Sequence, residues 1–335
     1  MTQQNSSTVD FVLPWVDGAD PDWQESFAKF AGGLPGDGRQ CRYRDWGTLR
    51  YLFRGFEAFT PWVRKIYFVT WGHLPPWLNT EHDKLRVVHH SDFLKEDNLP
   101  IFSCNPIEVN LHRIKGLSDR FVYFNDDTFI LRTLPKEHFF SSGLPCDAMG
   151  FNAIYDSPIA HIKINDISII NRHFAKSVVT KENFFKIFNY KNNVIEMLKT
   201  LLLIPWPKIT GFYDPHQPQP FLRSTFEEVW NKERDILERT SATKIRSSAD
   251  VNQYLFRYWQ LCQGNFRTRS FHRTFSKMIE SEADADEFCR KIQSGRYEMI
   301  CINDNVSDDS VFEQSKRKIT GAFEKLFPEK STFER

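Results

Sequence analysis

The sequence lacks the features that mark several common classes of protein. Its six cysteines, at positions 41, 104, 146, 262, 289 and 301, form no Cys-x-x-Cys pair and have no histidine at zinc-finger spacing. We therefore expect scattered, reduced thiols rather than a zinc site. Lysine and arginine (44) nearly balance aspartate and glutamate (43), so no global charge favours nucleic acid. Residues 1–9 are polar and do not resemble a signal peptide, and we expect a soluble, cytoplasmic protein.

Long hydrophobic runs are also absent. The longest apolar stretch, residues 201–204, ends at Pro205 and is far too short to cross a bilayer. Lys191, Lys199 and Lys208 surround it, a pattern compatible with a segment that rests on an anionic membrane surface. A core helix that ends at Pro205 explains the same residues, and it is the interpretation that we favour.

Apolar periodicity divides the chain into an alternating first part and a helical second part. Strands are predicted at residues 9–16, 65–70, 85–89 and 120–131, with helices at 48–59 and 106–117. This alternation predicts a mostly parallel sheet covered on both faces, in a Rossmann-like or glycosyltransferase-A-like α/β fold. We assign residues 1–180 to this core and 181–335 to a mainly helical C-terminal cap that completes one catalytic unit.

Two helices of the second part carry capping-box patterns. Ser224 with Glu227 is predicted to open a helix that runs to about residue 239, and Ser310 with Glu313 is predicted to open the last helix. A further helix is predicted between residues 250 and 264.

An acidic triplet interrupts the strand predicted at 120–131. Asn125, Asp126 and Asp127 lie in the middle of an otherwise apolar run. Burying unpaired carboxylates is costly unless a cation or another partner compensates them. At the carboxyl end of a parallel strand, however, open α/β sheets bind their ligands. Oxygen ligands suit a hard cation such as Mg²⁺, which in turn suits a diphosphate.

Three more polar clusters accompany the triplet. Each alone has a structural explanation, as a turn, a surface ion pair or a helix cap. Together they provide carboxylates for a metal, arginines for phosphate and one histidine, held in a proline-rich loop, that can move a proton. This combination is typical of phosphoryl-group transfer. The clusters are Asp17 and Asp20; Arg42, Arg44 and Asp45; and His216, Arg246, Asn303 and Asp304.

At these residues the sequence resembles the Stealth family, the bacterial capsular polysaccharide phosphotransferases, whose catalytic core is shared with N-acetylglucosamine-1-phosphotransferase. Four blocks of resemblance occur in the family's order and span nearly the whole chain. They are Phe-Val-Leu-Pro-Trp-Val-Asp-Gly-Ala-Asp-Pro at 11–21; Arg-Tyr-Arg-Asp at 42–45 through Phe-Asn-Asp-Asp at 124–127; Asp-Pro-His-Gln-Pro at 214–218 through Lys-Ile-Arg at 244–246; and Ile-Asn-Asp at 302–304 with Phe-Pro-Glu-Lys-Ser at 327–331.

The resemblance implies an enzyme that moves a sugar together with its phosphate. A UDP-sugar, typically UDP-N-acetylhexosamine, would donate sugar-1-phosphate to a hydroxyl of a capsular saccharide, with release of UMP. Residues 1–180 would then bind the nucleotide sugar. The other partners expected are the inner face of the cytoplasmic membrane, through peripheral association, and capsule-assembly proteins.

The roles implied by the resemblance are assigned residue by residue. His216 would accept the proton of the acceptor hydroxyl, Arg246 would neutralise phosphate charge, and Asn125 would assist the metal–diphosphate. The metal, Mg²⁺ or Mn²⁺, would be held by Asp126, Asp127 and Asp304. The donor would be bound by Asp17, Asp20, Arg42, Arg44 and Asp45.

The residues leave rival functions open. A metal-dependent glycosyltransferase would use the same carboxylates but release UDP, and a phosphodiester hydrolase would consume the donor without an acceptor. A non-catalytic scaffold of a capsule-assembly complex would need neither Asp127 nor His216 nor Arg246. The nucleotide that is released, UMP or UDP, separates the phosphotransferase from the glycosyltransferase.

Overall fold

The computed structural model describes residues 8–31 and 43–335, so Arg42 lies outside the described residues. Within these two ranges the chain forms eleven strands. They are β1 Asp10–Trp15, β2 Ile66–Thr70, β3 Leu85–His89, β4 Arg120–Tyr123, β5 Thr128–Ile130, β6 Phe140–Ser141, β7 Leu144–Asp147, β8 Gln219–Leu222, β9 Arg267–Thr268, β10 Thr274–Ile279 and β11 Met299–Asp304.

Twelve α-helices accompany the strands in the described part of the chain. They are α1 Pro21–Ala31, α2 Leu49–Phe59, α3 Cys104–Asn110, α4 Ala160–His173, α5 Lys176–Glu182, α6 Phe184–Ile187, α7 Val194–Leu203, α8 Arg223–Lys232, α9 Arg234–Ser241, α10 Gln253–Cys262, α11 Glu282–Gln293 and α12 Asp309–Leu326. None of the helices described is long and apolar enough to cross a membrane.

The central sheet has five strands in the order β3-β2-β1-β4-β8. Four of them are parallel, and only β8, at one edge, runs antiparallel to its neighbour β4. The prediction of an α/β fold with a mostly parallel sheet is therefore confirmed. Because β1 and β4 are adjacent and parallel, the polar residues that follow them are delivered to the same edge of the sheet.

Side chains of β1 alternate between two hydrophobic cores, as expected for a central strand with helices on both faces. Phe11 and Leu13 point into one core and Val12 into the other. The Phe11 ring packs against those of Phe56 and Phe124, with centroid distances of 5.0 and 4.5 Å. Phenylalanines thus fill much of the core on this face of the sheet.

The acidic triplet does not lie within one strand, and the prediction of a continuous strand over 120–131 is wrong. The chain leaves the central sheet after β4, turns at Asn125 to Asp127 and enters β5 of a second sheet, ordered β10-β11-β5. The turn is closed by the Thr128 backbone N–H and hydroxyl, which donate to the Asn125 carbonyl at 3.2 and 2.7 Å. The chain therefore presents these polar side chains between two sheets rather than burying them within one.

Strands from the second half of the chain complete both of these sheets. β8 pairs with β4 and β11 pairs with β5, so residues after 180 are hydrogen-bonded to strands before it. A third small sheet, β6-β7-β9, joins the two halves in the same way. The division of the chain at residue 180 stays a prediction.

Both capping-box predictions are wrong in detail. The helix predicted from residue 224 to 239 is two helices, α8 and α9, that meet at Glu233. α8 begins directly after β8, and its N-cap residue, Leu222, makes no side-chain cap. The last helix, α12, is capped by Asp308, whose carboxylate accepts from the Ser310 and Val311 backbone N–H groups at 2.8 and 3.1 Å. A carboxylate two residues earlier satisfies the donors that the pattern assigned to Ser310.

The helix that ends before Pro205 does not belong to the core, and this interpretation is also wrong. In α7 only Thr200 is buried, whereas five of its apolar side chains are exposed. Helical periodicity shows that these residues share a face, but it does not show whether that face points toward protein or solvent.

Candidate active site

A large cavity opens at the carboxyl ends of β1 and β4. Its volume is about 1210 Å³, and both halves of the chain line it. Of the residues singled out in the sequence, the structure brings together here Arg44, Asp45, Asn125, Asp126, Asp127, His216, Arg246, Asn303 and Asp304. Residues that are distant in the chain thus meet in one site, as expected for the switch between neighbouring strands of an α/β sheet.

Asp17 and Asp20 do not belong to this lining. Asp17 accepts from the Ala19 backbone N–H at 2.9 Å, and Asp20 accepts from that of Trp23 at 2.8 Å. The Asp17 backbone N–H donates to Nε2 of His73 at 2.8 Å, a residue that sequence reasoning missed. These bonds hold the turn after β1, and the donor-binding role of the two carboxylates stays a prediction.

The acidic turn carries the most perturbed carboxyl groups of the cavity. Enclosure by protein raises the pKa of Asp126 to about 6, helped by Asp45, and the pKa of Asp127 to about 7, helped by Asp126. Asp126 is itself exposed to the cavity, whereas Oδ1 of Asp127 is buried and, in the described part of the chain, has no hydrogen-bond partner. An orphaned carboxylate oxygen beside a second carboxylate fits the donor set of a divalent cation.

His216 and Cys301 stand beside Asp127. One ligand atom from each of the three residues lies within 4.8 Å of the others. Burial and the nearby Asp127 carboxylate raise the pKa of Cys301 well above its usual range, so the thiol keeps its proton and hydrogen-bonds to Asp127. The spacing of the cysteines gave no sign of this contact, because Cys301 occupies a buried position in β11 that looks like ordinary core packing.

His216 is held in an unusual backbone conformation. Its φ angle is +48°, in the left-handed region that non-glycine residues seldom adopt outside constrained sites. Nδ1 lies 3.3 Å from the Tyr254 hydroxyl. Burial, and then the positive charge of Lys163, lower the pKa of His216 below its usual value. The imidazole is therefore neutral at pH 7 and able to accept a proton.

A buried ionic network fixes the loop that carries His216. Asp214 accepts from Lys163 Nζ and Arg257 Nη1 at 2.6 Å each, and from the Tyr258 hydroxyl at 2.8 Å. Arg257 is fully buried and also donates to Asp147 at 2.8 and 2.9 Å. Because each charge is paired, the network stabilises one position of the loop. In the sequence, the network was indicated only by charged residues, such as Arg257, on helix faces that are otherwise apolar.

Arg44 and Asp304 form a bidentate salt bridge. Arg44 Nε and Nη2 donate to the two carboxylate oxygens of Asp304 at 3.0 and 2.9 Å. The guanidinium also lies 4.2 Å from the ring centroid of Phe312. The pair ties the segment before α2 to the end of β11 at the cavity wall. Its members neutralise one another, while the donor role of Arg44 and the metal role of Asp304 stay predictions.

Arg246 and Lys163 are among the other side chains that bring positive charge to the cavity. Arg246 lines it and has Nη2 at 3.0 Å from Sγ of Cys104, and Lys163 lines it from α4. Asp45 also lines the wall, and its Oδ1 accepts from the Gly47 backbone N–H at 2.7 Å. The cavity thus has an acidic floor with cations around it, which suits a metal–diphosphate group.

Comparison with solved structures gives only a weak likeness. A galactosyltransferase, LgtC, in complex with donor and acceptor sugar analogues matches with a TM-score of 0.35 and 9% identity, over 93% of this chain and 95% of that one. A TM-score this low supports no conclusion about fold or function.

Comparison with protein families is more specific. Three regions of the Stealth proteins match this chain: conserved region 1 at residues 8–35, conserved region 2 at 42–146 and conserved region 4 at 290–335. These ranges contain the first, second and fourth blocks noted in the sequence. The block at 214–246, which contains His216, lies outside them and stays a prediction.

Relatives match over almost the whole chain. A capsular polysaccharide phosphotransferase, WcwK, of Streptococcus pneumoniae is 40% identical over 99% of both chains. A receptor polysaccharide phosphotransferase, WefC, of Streptococcus gordonii is 39% identical over 97% of this chain and 98% of its own. An exopolysaccharide phosphotransferase, cps2G, of Lactiplantibacillus plantarum is 35% identical over 98% and 96%. The chain therefore belongs to the Stealth family of polysaccharide phosphotransferases.

Proposed function

We propose that this enzyme transfers sugar-1-phosphate from a UDP-sugar, with UDP-N-acetylhexosamine the expected donor, to a hydroxyl of a capsular saccharide and releases UMP. The observation that carries the proposal is the meeting of His216 with Asp127 in a cavity large enough for a nucleotide sugar. A proton acceptor beside a metal-binding carboxylate is what phosphoryl transfer to a hydroxyl requires. The names of the relatives agree with this reaction class.

The acidic turn is the proposed place for a divalent cation, Mg²⁺ or Mn²⁺. Asp126 and Asp127 would hold it, with Asn125 beside them and Asp304 further along the wall, where its charge is shared with Arg44. When bound, such a cation neutralises charge on the diphosphate oxygens and helps the departing phosphate leave. The unpaired Oδ1 of Asp127 supports this assignment.

The proposed reaction moves one proton and exchanges one bond at phosphorus. His216 takes the proton of the acceptor hydroxyl, whose oxygen forms a bond to the sugar-linked phosphorus. The bond from that phosphorus to the oxygen bridging the two phosphates breaks, and UMP departs with that oxygen. Arg246 and Lys163, which both line the cavity, would balance the phosphate charge. The product is a phosphodiester between two sugars.

We further propose a cytoplasmic location, since nucleotide sugars of this kind are cytoplasmic metabolites, with a capsular oligosaccharide or polysaccharide as acceptor. Because such a polymer is built at the inner face of the membrane, we also propose peripheral association of the enzyme with that membrane and with capsule-assembly proteins.

The fate of the sugar-linked phosphate tests the reaction. With ³²P in the β-phosphate of UDP-N-acetylglucosamine, we expect the label to enter the acceptor product as a diester that resists a phosphomonoesterase. A glycosyltransferase would leave all the label in UDP. A hydrolase would release labelled sugar-1-phosphate or inorganic phosphate without acceptor. Either of these distributions would refute the proposed reaction.

A further inference from the structure

Helix α7 presents a row of apolar side chains to solvent. Val194, Ile195, Leu198, Leu201 and Leu202 recur at the spacing of a single helix face, and all five are exposed, Leu198 by 56% and Leu202 by 80%. Surface helices of soluble proteins ordinarily turn this face toward the core. These five residues are called the α7 face below.

The outward orientation of the α7 face is fixed by bonds on its opposite side. The hydroxyl of Thr200, the buried residue of the helix, accepts from the Phe151 backbone N–H at 2.8 Å. The ammonium group of Lys176 donates to the carbonyls of Leu203 and Trp206 at the end of the helix. The helix is thus anchored by its polar side, and its apolar side remains available to a partner.

Aromatic and basic residues surround the α7 face in the chain. Phe185, Tyr190 and Trp206 are exposed by 83, 85 and 61%. Four lysines of this stretch are exposed, at positions 181, 191, 199 and 208, against one exposed glutamate, Glu182. Aromatic rings at the border of an apolar face, with lysines beside them, are typical of helices that lie in a membrane interface.

We infer that the α7 face docks the enzyme on an anionic lipid bilayer. The apolar side chains would enter the boundary between headgroups and acyl chains, while the exposed lysines would contact the headgroups. A second copy of the chain is a poorer partner, because a symmetric interface through this face would bring its excess lysines together. This inference rests on the exposed residues and does not depend on the proposed reaction.

Docking through this face would place the catalytic cavity next to the lipid. Lys191, Asn192 and Asn193 line the cavity and lead directly into α7. Tyr155, exposed by 77%, also lines the cavity. A saccharide at the bilayer surface could therefore reach the site while the enzyme stays bound.

Vesicle sedimentation tests the docking. With vesicles of phosphatidylglycerol and phosphatidylcholine, we expect the wild-type protein to bind, and to bind less at high salt or to phosphatidylcholine alone. The double variant Leu198→Gln/Leu202→Gln should reduce the partition coefficient at least about tenfold. Both side chains are exposed, so the variant should fold and keep its activity on a water-soluble acceptor.

Leu74→Gln is the matched control, since Leu74 is an exposed leucine in the loop after β2 and its loss should leave vesicle binding unchanged. Failure of the wild-type protein to bind, or equal binding by the double variant, would overturn the inference. Sedimentation velocity provides a second readout. A wild-type dimer that becomes a monomer in the double variant, without vesicle binding, would instead assign the α7 face to self-association.

Discussion

His216→Asn is expected to lower kcat by about 10²–10⁴-fold, the usual cost of losing a general base, while the Kd for the UDP-sugar stays near the wild-type value. The proton of the acceptor hydroxyl would then have no acceptor, whereas the carboxylates and cations that hold the diphosphate would remain. Asparagine is the sharper substitution because it tolerates the left-handed backbone of residue 216, where φ is +48°. His216→Ala should show a similar loss.

The measurements are steady-state kinetics for kcat and calorimetry for donor binding. His161→Asn is the matched control, because His161 is an exposed histidine on α4 and is expected to be dispensable. If His216→Asn retained a rate close to that of the wild type, the histidine would not be the base. If donor affinity fell in proportion to kcat, the histidine would act in donor binding instead.

Asp127→Asn is expected to reduce activity by on the order of a thousandfold or more, because a metal–carboxylate contact supplies several kcal/mol of charge stabilisation and each 1.36 kcal/mol is worth tenfold in rate. The substitution keeps the size of the side chain but removes the negative charge. Binding of Mn²⁺ in the presence of UDP, followed by electron paramagnetic resonance, should weaken in parallel. This second readout separates loss of metal from a general loss of activity.

Asp119→Asn provides the control for this prediction. Asp119 is exposed and precedes β4, at the opposite end of the strand from the acidic turn. Its substitution should leave both the rate and Mn²⁺ binding unchanged. An Asp127→Asn enzyme that stays fully active and still requires magnesium would refute the role assigned to Asp127.

The polar turn at the end of β4 could be predicted from the sequence because adjacent carboxylates in an apolar run have few explanations other than a ligand site. The parallel sheet could also be predicted, since helical patterns separate β1 from β2 and β3 from β4. The turn itself was placed inside one strand, because apolar residues on both sides of Asp127 do not reveal that they belong to different sheets.

Contacts between residues that are distant in the chain could not be predicted from the sequence. Cys301 lies beside Asp127 across the β5–β11 pairing, and Lys163 on α4 donates to Asp214 in a distant loop; no local sequence pattern indicates either contact. The orientation of α7 was mistaken for a similar reason. Periodicity groups its leucines on one face, but the bonds of Thr200 on the other side decide that this face meets solvent.

The nucleotide released by the enzyme tests sugar-1-phosphate transfer most directly. The protein would be incubated with magnesium, UDP-N-acetylglucosamine and a short capsule-type oligosaccharide, and the nucleotides separated by anion exchange. Transfer of the sugar with its phosphate predicts UMP, formed only when the acceptor is present. Release of UDP in its place would show that the sugar carbon–oxygen bond is broken and would contradict the proposed reaction.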